Sequence, residues 1–282
     1  MSNIRQLDPS ASPLDYYGYE LRRAREAAGL TQAQLGAIVF CTGSLVGQIE
    51  TTLKVPTREF SERVNAALGA DGRISRLVGL VLRNQLPSWF QPYAELEARA
   101  THIATYQSQV IYGLLQTPAY ARAVLHAGWS EALDDKVAAR LDRQRILTRE
   151  KPPLIWVILD EATLLRPFGS RQIMREQLTH LLGFRDQLKV RVQVLPFSAG
   201  HHPATAGSFN VLRFKDHPSI TYSENYDSGF MTANPDVVED CSHRYDHLQA
   251  AALSIEDSAA LIARIREERY AEQSDPDESA VA

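Results

Sequence analysis

The sequence has few cysteines and no long apolar segment, and both shortages limit what the protein can be. Cys41 and Cys241 are the only two cysteines among 282 residues, too few for a disulfide framework and too far apart for a metal-binding motif. The longest apolar runs, Leu77–Leu82 and Leu154–Leu159, are far shorter than the roughly 20 residues that span a bilayer. The first residues lack the apolar core of a signal peptide. We therefore expect a cytoplasmic protein with no cofactor, no metal and no membrane partner.

The sequence also lacks the motifs that most enzyme classes need. It has no glycine-rich loop for phosphates, and Ser198 lacks the flanking glycines of a nucleophile elbow. His201 and His202 follow Ser198, but neighbouring side chains on an extended chain point in different directions, so at most one histidine could join a site. Asp160 and Glu161 fit a helix cap or an ion pair better than a general acid and base. We predict that the protein is not an enzyme, and a Ser-His-acid hydrolase is a weak alternative.

The net charge of −4 is unevenly distributed along the chain. Residues 1–88 contain ten Lys and Arg against eight acidic residues, whereas the remainder contains twenty against twenty-six. A weakly positive first part suits contact with a polyanion, but only with modest non-specific affinity. Two copies acting together would add two such modest interactions, so this charge distribution favours a homodimer.

Prolines and aromatic residues at 86–93 interrupt the helical pattern. This stretch, LPSWFQPY, holds two prolines and three aromatic residues, which indicates a packed joint between two domains. We place the domain boundary after residue 85. The predicted parts of the chain are a flexible arm at 1–13, a first domain at 14–85, a second domain at 86–270 and a disordered acidic tail at 271–282.

The stretch Leu30–Pro56 has the pattern of a helix-turn-helix. Thr31 can cap a short helix whose apolar residues recur every three or four positions. Phe40–Thr42 is long enough only for a tight turn, and a second short helix with one polar face follows. This arrangement presents the second helix to the major groove of double-stranded DNA, where amide and hydroxyl side chains read base edges. In the loop after that helix, Lys54, together with Arg58, could bind a phosphate.

The segment Tyr19–Leu68, with Leu-Thr-Gln at 30–32, resembles the Cro/repressor (Xre) family of DNA-binding domains. The resemblance implies a mainly α, five-helix, lambda-repressor-like domain that binds operator DNA as a dimer. It also implies a structural salt bridge between Arg25 and Glu50. Phe40 and Thr52 stand where the family commonly has glycine. The residues that the resemblance places near the DNA are Gln32, Thr42, Gly43, Ser44, Gly47 and Gln48.

The second domain mixes short apolar strands with amphipathic helices. The strands are bounded by prolines, glycines and acidic residues, and the last two are close enough for a hairpin. We predict an α+β domain with a small, mostly antiparallel sheet of about four strands flanked by helices. The predicted strands are Leu154–Leu159, Val190–Leu195, Gly207–Phe214 and Ile220–Ser223.

Motifs in this second domain resemble those of the actinobacterial WhiJ-like regulators, which pair an Xre-type domain with an α+β domain. The resemblance implies a transcriptional regulator, often antitoxin-like, that is encoded beside a small partner protein. The motifs are Tyr112–Arg122 (YGLLQTPAYAR), Leu159–Ala162 (LDEA), Met174–Leu178 (MREQL) and Val194–Pro203 (VLPFSAGHHP).

A ligand pocket in the second domain is a further hypothesis. A loop rich in Ala, Gly and His could cover a pocket lined by Trp156, Phe197, His201, Phe209 and Tyr222, but we favour the alternative that these aromatic residues are core. We predict a dimeric, sequence-specific DNA-binding regulator whose second domain receives a signal from a small molecule or a partner protein. The alternatives are an antitoxin-like module that sequesters a small partner protein and, less favoured, a DNA-tethered enzyme.

Overall fold

The computed structural model describes residues 7–128 and 132–271. The predicted tail therefore lies outside the described residues except for Ala271, and so does the first part of the predicted arm. Pro13, the last residue of that arm, already belongs to the first helix.

The chain forms two compact units, and each unit contains two separate stretches of sequence. The first unit holds Met1–Gln91 and Asp134–Asp142, and the second holds Pro92–Leu133 and Arg143–Ala282. The sequence predicts a single boundary after residue 85 and assigns everything from 86 to 270 to one domain. Asp134–Asp142 departs from that assignment, and its Ala138 packs against the apolar core of the first unit.

Five helices make up the N-terminal part of the first unit. The first four begin at a hydroxyl cap: the side-chain oxygens of Ser12, Thr31, Thr42 and Thr57 each accept a backbone N–H three residues later. The helices are α1 (Pro13–Ala27), α2 (Gln32–Ile38), α3 (Gly43–Glu50), α4 (Arg58–Leu68) and α5 (Arg73–Asn84).

The apolar faces of these helices meet in one core, as the three-and-four spacing of their apolar residues predicts. The core therefore ties α2 and α3 to a scaffold made of α1, α4 and α5. Its buried members are Tyr17, Leu21, Leu35, Val39, Val46, Ile49, Val55, Phe60, Val64, Ile74, Val78, Val81 and Leu82.

The second unit is built on a six-stranded mixed sheet with the order β3-β2-β1-β4-β5-β6. β1, β2 and β3 are parallel, and each of the other three strands is antiparallel to its neighbour. The strands are β1 (His102–Gln107), β2 (Leu154–Asp160), β3 (Val190–Leu195), β4 (Phe209–Arg213), β5 (Ile220–Glu224) and β6 (Gly229–Thr232).

The prediction of about four strands is wrong by two, because β1 and β6 lack a clear apolar pattern. In the middle of the sheet, β1 buries polar side chains that bond to one another: Thr105 donates to Asn210 at 2.5 Å, and Gln107 donates to Thr105 at 2.7 Å. A buried polar side chain with a partner costs little, but in a sequence it looks like a surface residue. β6 is a short edge strand whose Phe230 and Met231 are exposed.

In the described part of the chain, seven further α-helices follow α5. α10 packs against α12, which also contacts β3. α11 supplies Tyr245 and Leu248 to the apolar cluster on one face of the sheet. The helices are α6 (Gln91–Glu97), α7 (Pro118–Ala127), α8 (Leu133–Arg143), α9 (Ala162–Leu165), α10 (Arg171–Leu182), α11 (Pro235–Ala251) and α12 (Ile255–Tyr270). Among the described residues, no helix combines the length and the apolar content that crossing a membrane requires.

A buried carboxylate joins the helices of the first unit. Glu50, the last residue of α3, is fully buried. Arg25 donates to it twice, from Nε to Oε1 at 2.5 Å and from Nη2 to Oε2 at 3.0 Å. Gln32 adds a bond from Nε2 to Oε2 at 2.8 Å. The hydrogen bonds to Glu50 raise the pKa of Arg25. One side chain of α3 is thereby bonded to both α1 and α2.

Replacing Arg25 with alanine should destabilise the first unit, because a buried carboxylate then loses its two-pronged partner and keeps only Arg22, at 3.9 Å, as an ionic neighbour. We expect a loss of about 3–5 kcal/mol in the free energy of unfolding. Arg23→Ala is the matched control, because Arg23 makes an ion pair with Glu20 but is 64% exposed in its side chain, and such pairs contribute about 0–1 kcal/mol. Thermal melting of the full chain, followed by circular dichroism, compares the two variants. Equal melting shifts would contradict the assigned role of the buried pair.

Candidate nucleic-acid interface

α2, a tight turn and α3 form the helix-turn-helix within the first unit. Thr31 and Gln34 form a capping box, in which each side chain accepts the other residue's backbone N–H at 3.2 and 2.8 Å. Thr42 accepts the N–H of Leu45 at 3.1 Å and so starts α3. Both helices are short, and isolated helices of this length are unstable in water. Their caps, the packing of α2 on α3 and the bonds to Glu50 hold them in place.

Glycines allow α2 and α3 to approach each other closely. A Cβ on Gly43 would lie 2.8 Å from the Cα of Ala33, and a Cβ on Gly36 would lie 2.9 Å from the carbonyl oxygen of Cys41. Both distances are shorter than real Cβ contacts, and backbone atoms cannot move aside as a flexible side chain can. A Cβ on Gly47 would lie 2.9 Å from the side chain of Gln32. Gly43 and Gly47, which the resemblance places on the DNA-facing side, are therefore directed toward α2.

Three of the predicted DNA-binding residues are exposed at α3. Ser44 and Gln48 lie one helical turn apart and share a face. Thr42 is also exposed, but its hydroxyl oxygen already caps the helix. Gln48 presents an amide, and an amide can both donate to and accept from the major-groove edge of adenine. Ser44 and Gln48 therefore form the part of this surface best suited to reading bases.

Gln32 has an internal role in this structure. Its amide nitrogen donates to Glu50, and its amide oxygen lies beside Gly47. The side chain is therefore held between α2 and α3. It contributes to the interface by fixing the orientation of α3.

Lys54 and Arg58, the two predicted phosphate ligands, have different surroundings. Lys54 is exposed, and its backbone N–H bonds to the carbonyl of Gln48 at 3.2 Å, which keeps the loop close to α3. Arg58 lies against α5 and α8: Nε and Nη2 donate to the Asp142 carboxylate at 2.5 and 3.0 Å, and Nη1 donates to the carbonyl of Ser75 at 3.3 Å. The bonds to Asp142 raise the pKa of Arg58. In this conformation the Arg58 guanidinium is engaged by protein groups.

Phe40 and Thr52, which replace common glycines, have left-handed backbone conformations. Their φ angles are 59° and 62°. A residue with a Cβ adopts this region at a cost of roughly 1–2 kcal/mol. The surrounding turns therefore require the geometry of glycine even where glycine is absent. The Phe40 side chain is 84% exposed, so apolar packing offsets little of this cost.

The residues of the predicted ligand pocket in the second unit do not come together, so the prediction of a single pocket is wrong. On β4, Phe209 pairs with Ser223, and the next residue, Asn210, pairs with Tyr222. Adjacent strand residues face opposite sides of a sheet, so Tyr222 and Phe209 lie on opposite faces. Tyr222 stacks on Tyr93 with ring centroids 4.2 Å apart.

The other members of that predicted pocket are also separated. Trp156 and Phe209 belong to the apolar cluster beneath α11, and the Trp156 indole donates to Gln193 at 2.7 Å. Phe197 is 58% exposed in the turn after β3, and His201 is exposed as well. The aromatic residues of this set thus divide between core and surface.

One of the two histidines joins a polar cluster at the carboxyl end of the parallel strands. His202 lies 3.5 Å from the Tyr106 hydroxyl, which donates to Asp160 at 3.0 Å. Burial raises the pKa of Tyr106, and the charge of Asp160 raises it further. Asp160 also accepts the backbone N–H of Ala162 at 2.9 Å, as a cap does. Ser198 takes part in none of these bonds, so they do not form a Ser-His-acid arrangement.

Sequence reasoning missed α8 as part of the DNA-binding unit. Asp142 is 84 residues from Arg58, and no local pattern connects two positions so far apart. The alternation of acidic, basic and alanine residues in α8 is typical of any solvated helix surface. Only the fold shows that this helix meets the first unit.

Comparisons with known proteins agree with this architecture. A family model for a helix-turn-helix domain matches residues 17–76, and a model described as a domain of unknown function (DUF5753) matches residues 90–264. Neither the curated proteins nor the solved structures compared with the chain include a match. The first match supports a DNA-binding, regulator-like architecture. Because the second match covers more than half of the chain, the protein is a member of the DUF5753 family, and it carries a helix-turn-helix domain in its N-terminal part.

Proposed function

We propose that the protein is a cytoplasmic, sequence-specific transcriptional regulator that binds operator DNA as a homodimer through α3. The observation that carries this proposal is the exposed face of α3, where Ser44 and Gln48 stand on a helix fixed by Glu50 and by close packing on α2. A rigid helix with exposed amide and hydroxyl groups suits base readout. Exposed Lys54, in the loop after α3, supplies a contact to the phosphate backbone.

We further propose that the second unit receives the signal, from a small molecule or a small partner protein, and that it has no catalytic activity. The resemblance to WhiJ-like, antitoxin-like regulators of actinobacteria supports this role. The members of the cluster around Tyr106, Asp160 and His202 bond to one another, and Ser198 does not bond to them.

Gln48→Ala and Lys54→Ala should affect DNA binding in different ways. Gln48→Ala should weaken binding to the protein's own upstream DNA by about 1–3 kcal/mol and leave binding to random DNA unchanged, because it removes a base contact. Lys54→Ala should weaken binding to both DNAs alike and reduce the slope of log K against log salt by about one, because it removes a phosphate contact.

The measurement is fluorescence anisotropy on both DNAs at several salt concentrations. Wild-type protein should prefer the upstream DNA at every salt concentration. Equal wild-type affinity for both DNAs would contradict sequence-specific binding. Identical losses for the two variants on the two DNAs would reject the assignment of Gln48 to base readout.

The dimer has its own test in solution. The first part of the chain carries a charge of only +2, so one half-site should bind weakly, and two-fold symmetry would place two half-sites about 34 Å apart or a multiple of that distance. We expect sedimentation equilibrium of the full chain at micromolar concentration to give the mass of a dimer. A monomer, both free and bound to upstream DNA, would overturn this part of the proposal.

Partner-protein binding is the second candidate function, and the open edge of the sheet favours it. β6 is the last strand, and Phe230 and Met231 are 61% and 37% exposed there. At the opposite edge, β3 is covered at Val194, whose N–H donates to Ser258 and whose carbonyl accepts from the N–H of Leu253, each at 2.9 Å. An open edge with exposed apolar side chains can pair with a strand of another chain.

Charge indicates which partner would suit this edge. Residues 218–243, which contain β6, include five acidic residues and neither lysine nor arginine. Two copies of this edge would bring like charges together, whereas a basic strand would be attracted. We therefore propose a basic partner segment, carried by the small protein that the resemblance places in a neighbouring gene.

Adding lysines to β6 should prevent this pairing. The double variant Phe230→Lys/Met231→Lys places charges on the edge strand, as natural edge strands do to avoid pairing. After co-expression with the neighbouring small protein, we expect this variant to lose the co-purifying partner. Leu188→Lys is the control, because Leu188 is 77% exposed and precedes β3 at the other edge. Retention of the partner by the β6 variant, or equal loss in the control, would exclude this edge.

A further inference from the structure

One face of α8 carries two acids separated by alanine. Asp135, Ala138 and Asp142 lie three and four positions apart, so they share one face of the helix. Ala138 packs against the core of the first unit. The small alanine side chain lets the helix approach closely, and the two carboxylates flank the contact.

The first carboxylate, Asp142, binds one edge of the Arg58 guanidinium. Asp142 accepts from Nε and Nη2 of Arg58, a two-pronged geometry that a phosphate group would also offer. The ion pair is partly shielded from water, because the Arg58 and Asp142 side chains are 23% and 18% exposed. Arg58 also crosses α5 at Gly79, where a Cβ would lie 3.2 Å from its Nη2. The absence of a side chain at Gly79 thus leaves room for Arg58 in this position.

The second carboxylate, Asp135, interacts electrostatically with Lys54. Burial raises the pKa of Asp135 and the charge of Asp134 raises it further, while the charge of Lys54 opposes both. Of the two cations that sequence analysis assigns to DNA phosphates, Arg58 is thus bonded to an acid of α8, and Lys54 is exposed.

We propose that α8 competes with DNA for Arg58 through Asp142 and opposes phosphate binding through the charge of Asp135. The inference rests on the proposed function, because it concerns the same DNA-binding surface. A carboxylate and a phosphate oxygen are alternative acceptors for the same donors, and a cation bonded to one is withdrawn from the other. The acids also repel the phosphate backbone directly when they lie beside it.

The position of α8 in the chain suggests how events in the second unit could change the competition for Arg58. Asp142 is the last residue of α8 that belongs to the first unit. The next residue, Arg143, belongs to the second unit, where it donates to Glu97 through Nε and Nη2, each at 2.9 Å. Two consecutive residues thus form ion pairs in different units. A ligand or partner that shifts the Arg143–Glu97 pair would act on Asp142 through one peptide bond.

The test uses the full chain and a random-sequence DNA duplex, so that base readout does not enter. The variants are Asp142→Asn, Asp135→Asn and the two combined, because asparagine keeps the shape of aspartate and removes its charge. We expect the combined variant to bind tighter than wild type, and the slope of log K against log salt to steepen by about 0.9 because Arg58 is released. In the background Arg58→Ala, the gain from Asp142→Asn should be lost.

The matched control removes the same charge from the second unit. Glu239→Gln/Asp246→Asn changes two exposed acids of α11 and gives the same net charge as the combined α8 variant. If control and α8 variants gain equally, or if the α8 variants leave the salt slope unchanged, the competition is overturned. Thermal melting shows whether each variant keeps its fold, and Asp135→Asn, which breaks none of the Arg58 bonds, provides the measurement if Asp142→Asn unfolds.

Upstream DNA in the same assay separates this inference from the proposed function. A steeper slope in the α8 variants without any preference for upstream DNA would support competition and reject sequence-specific regulation. A clear upstream preference with identical slopes would do the reverse. Failure of every variant to bind either DNA would overturn both.

Discussion

The charge on Glu50 must be stabilised inside the first unit, and this requirement determines the arrangement of the DNA-binding helices. A carboxylate without water needs donors on several sides, and Arg25 and Gln32 supply them from α1 and α2. Since Glu50 ends α3, the same bonds fix the orientation of α3 against its neighbours. An apolar residue at position 50 could pack as well, but it would not require α1, α2 and α3 to meet in one geometry.

Close packing of α2 and α3 limits how many side chains can read DNA. Gly43 and Gly47 are two of the eight residues of α3, and both face α2. If the two helices were farther apart, these positions could carry side chains. The remaining exposed groups, Ser44 and Gln48, offer few direct contacts to bases. In the proposed dimer, recognition would then depend strongly on DNA shape and on the geometry of two half-sites, which need no additional base contacts.

The parts of the structure that follow from local physics could be predicted from the sequence, and the parts that depend on distant contacts could not. Thr31 and Thr42 mark helix starts because a hydroxyl cap acts within three residues. β1 escaped prediction because its buried Thr105 and Gln107 bond to Asn210, which lies on a strand about a hundred residues later. The pairing of Arg58 with Asp142 is equally remote, so Arg58 looked like a free surface cation.

The exchange of segments between the two units has a consequence for how this protein could evolve. The chain passes from one unit to the other three times, after Gln91, Leu133 and Asp142. A recombination event near residue 91 would transfer the five N-terminal helices without the piece of α8 that packs on them. The recipient would gain the five helices with an uncovered apolar surface where Ala138 packs and with Arg58 lacking its Asp142 partner. The two units should therefore be inherited together, and substitutions in the α8 segment should correlate with substitutions in the five N-terminal helices.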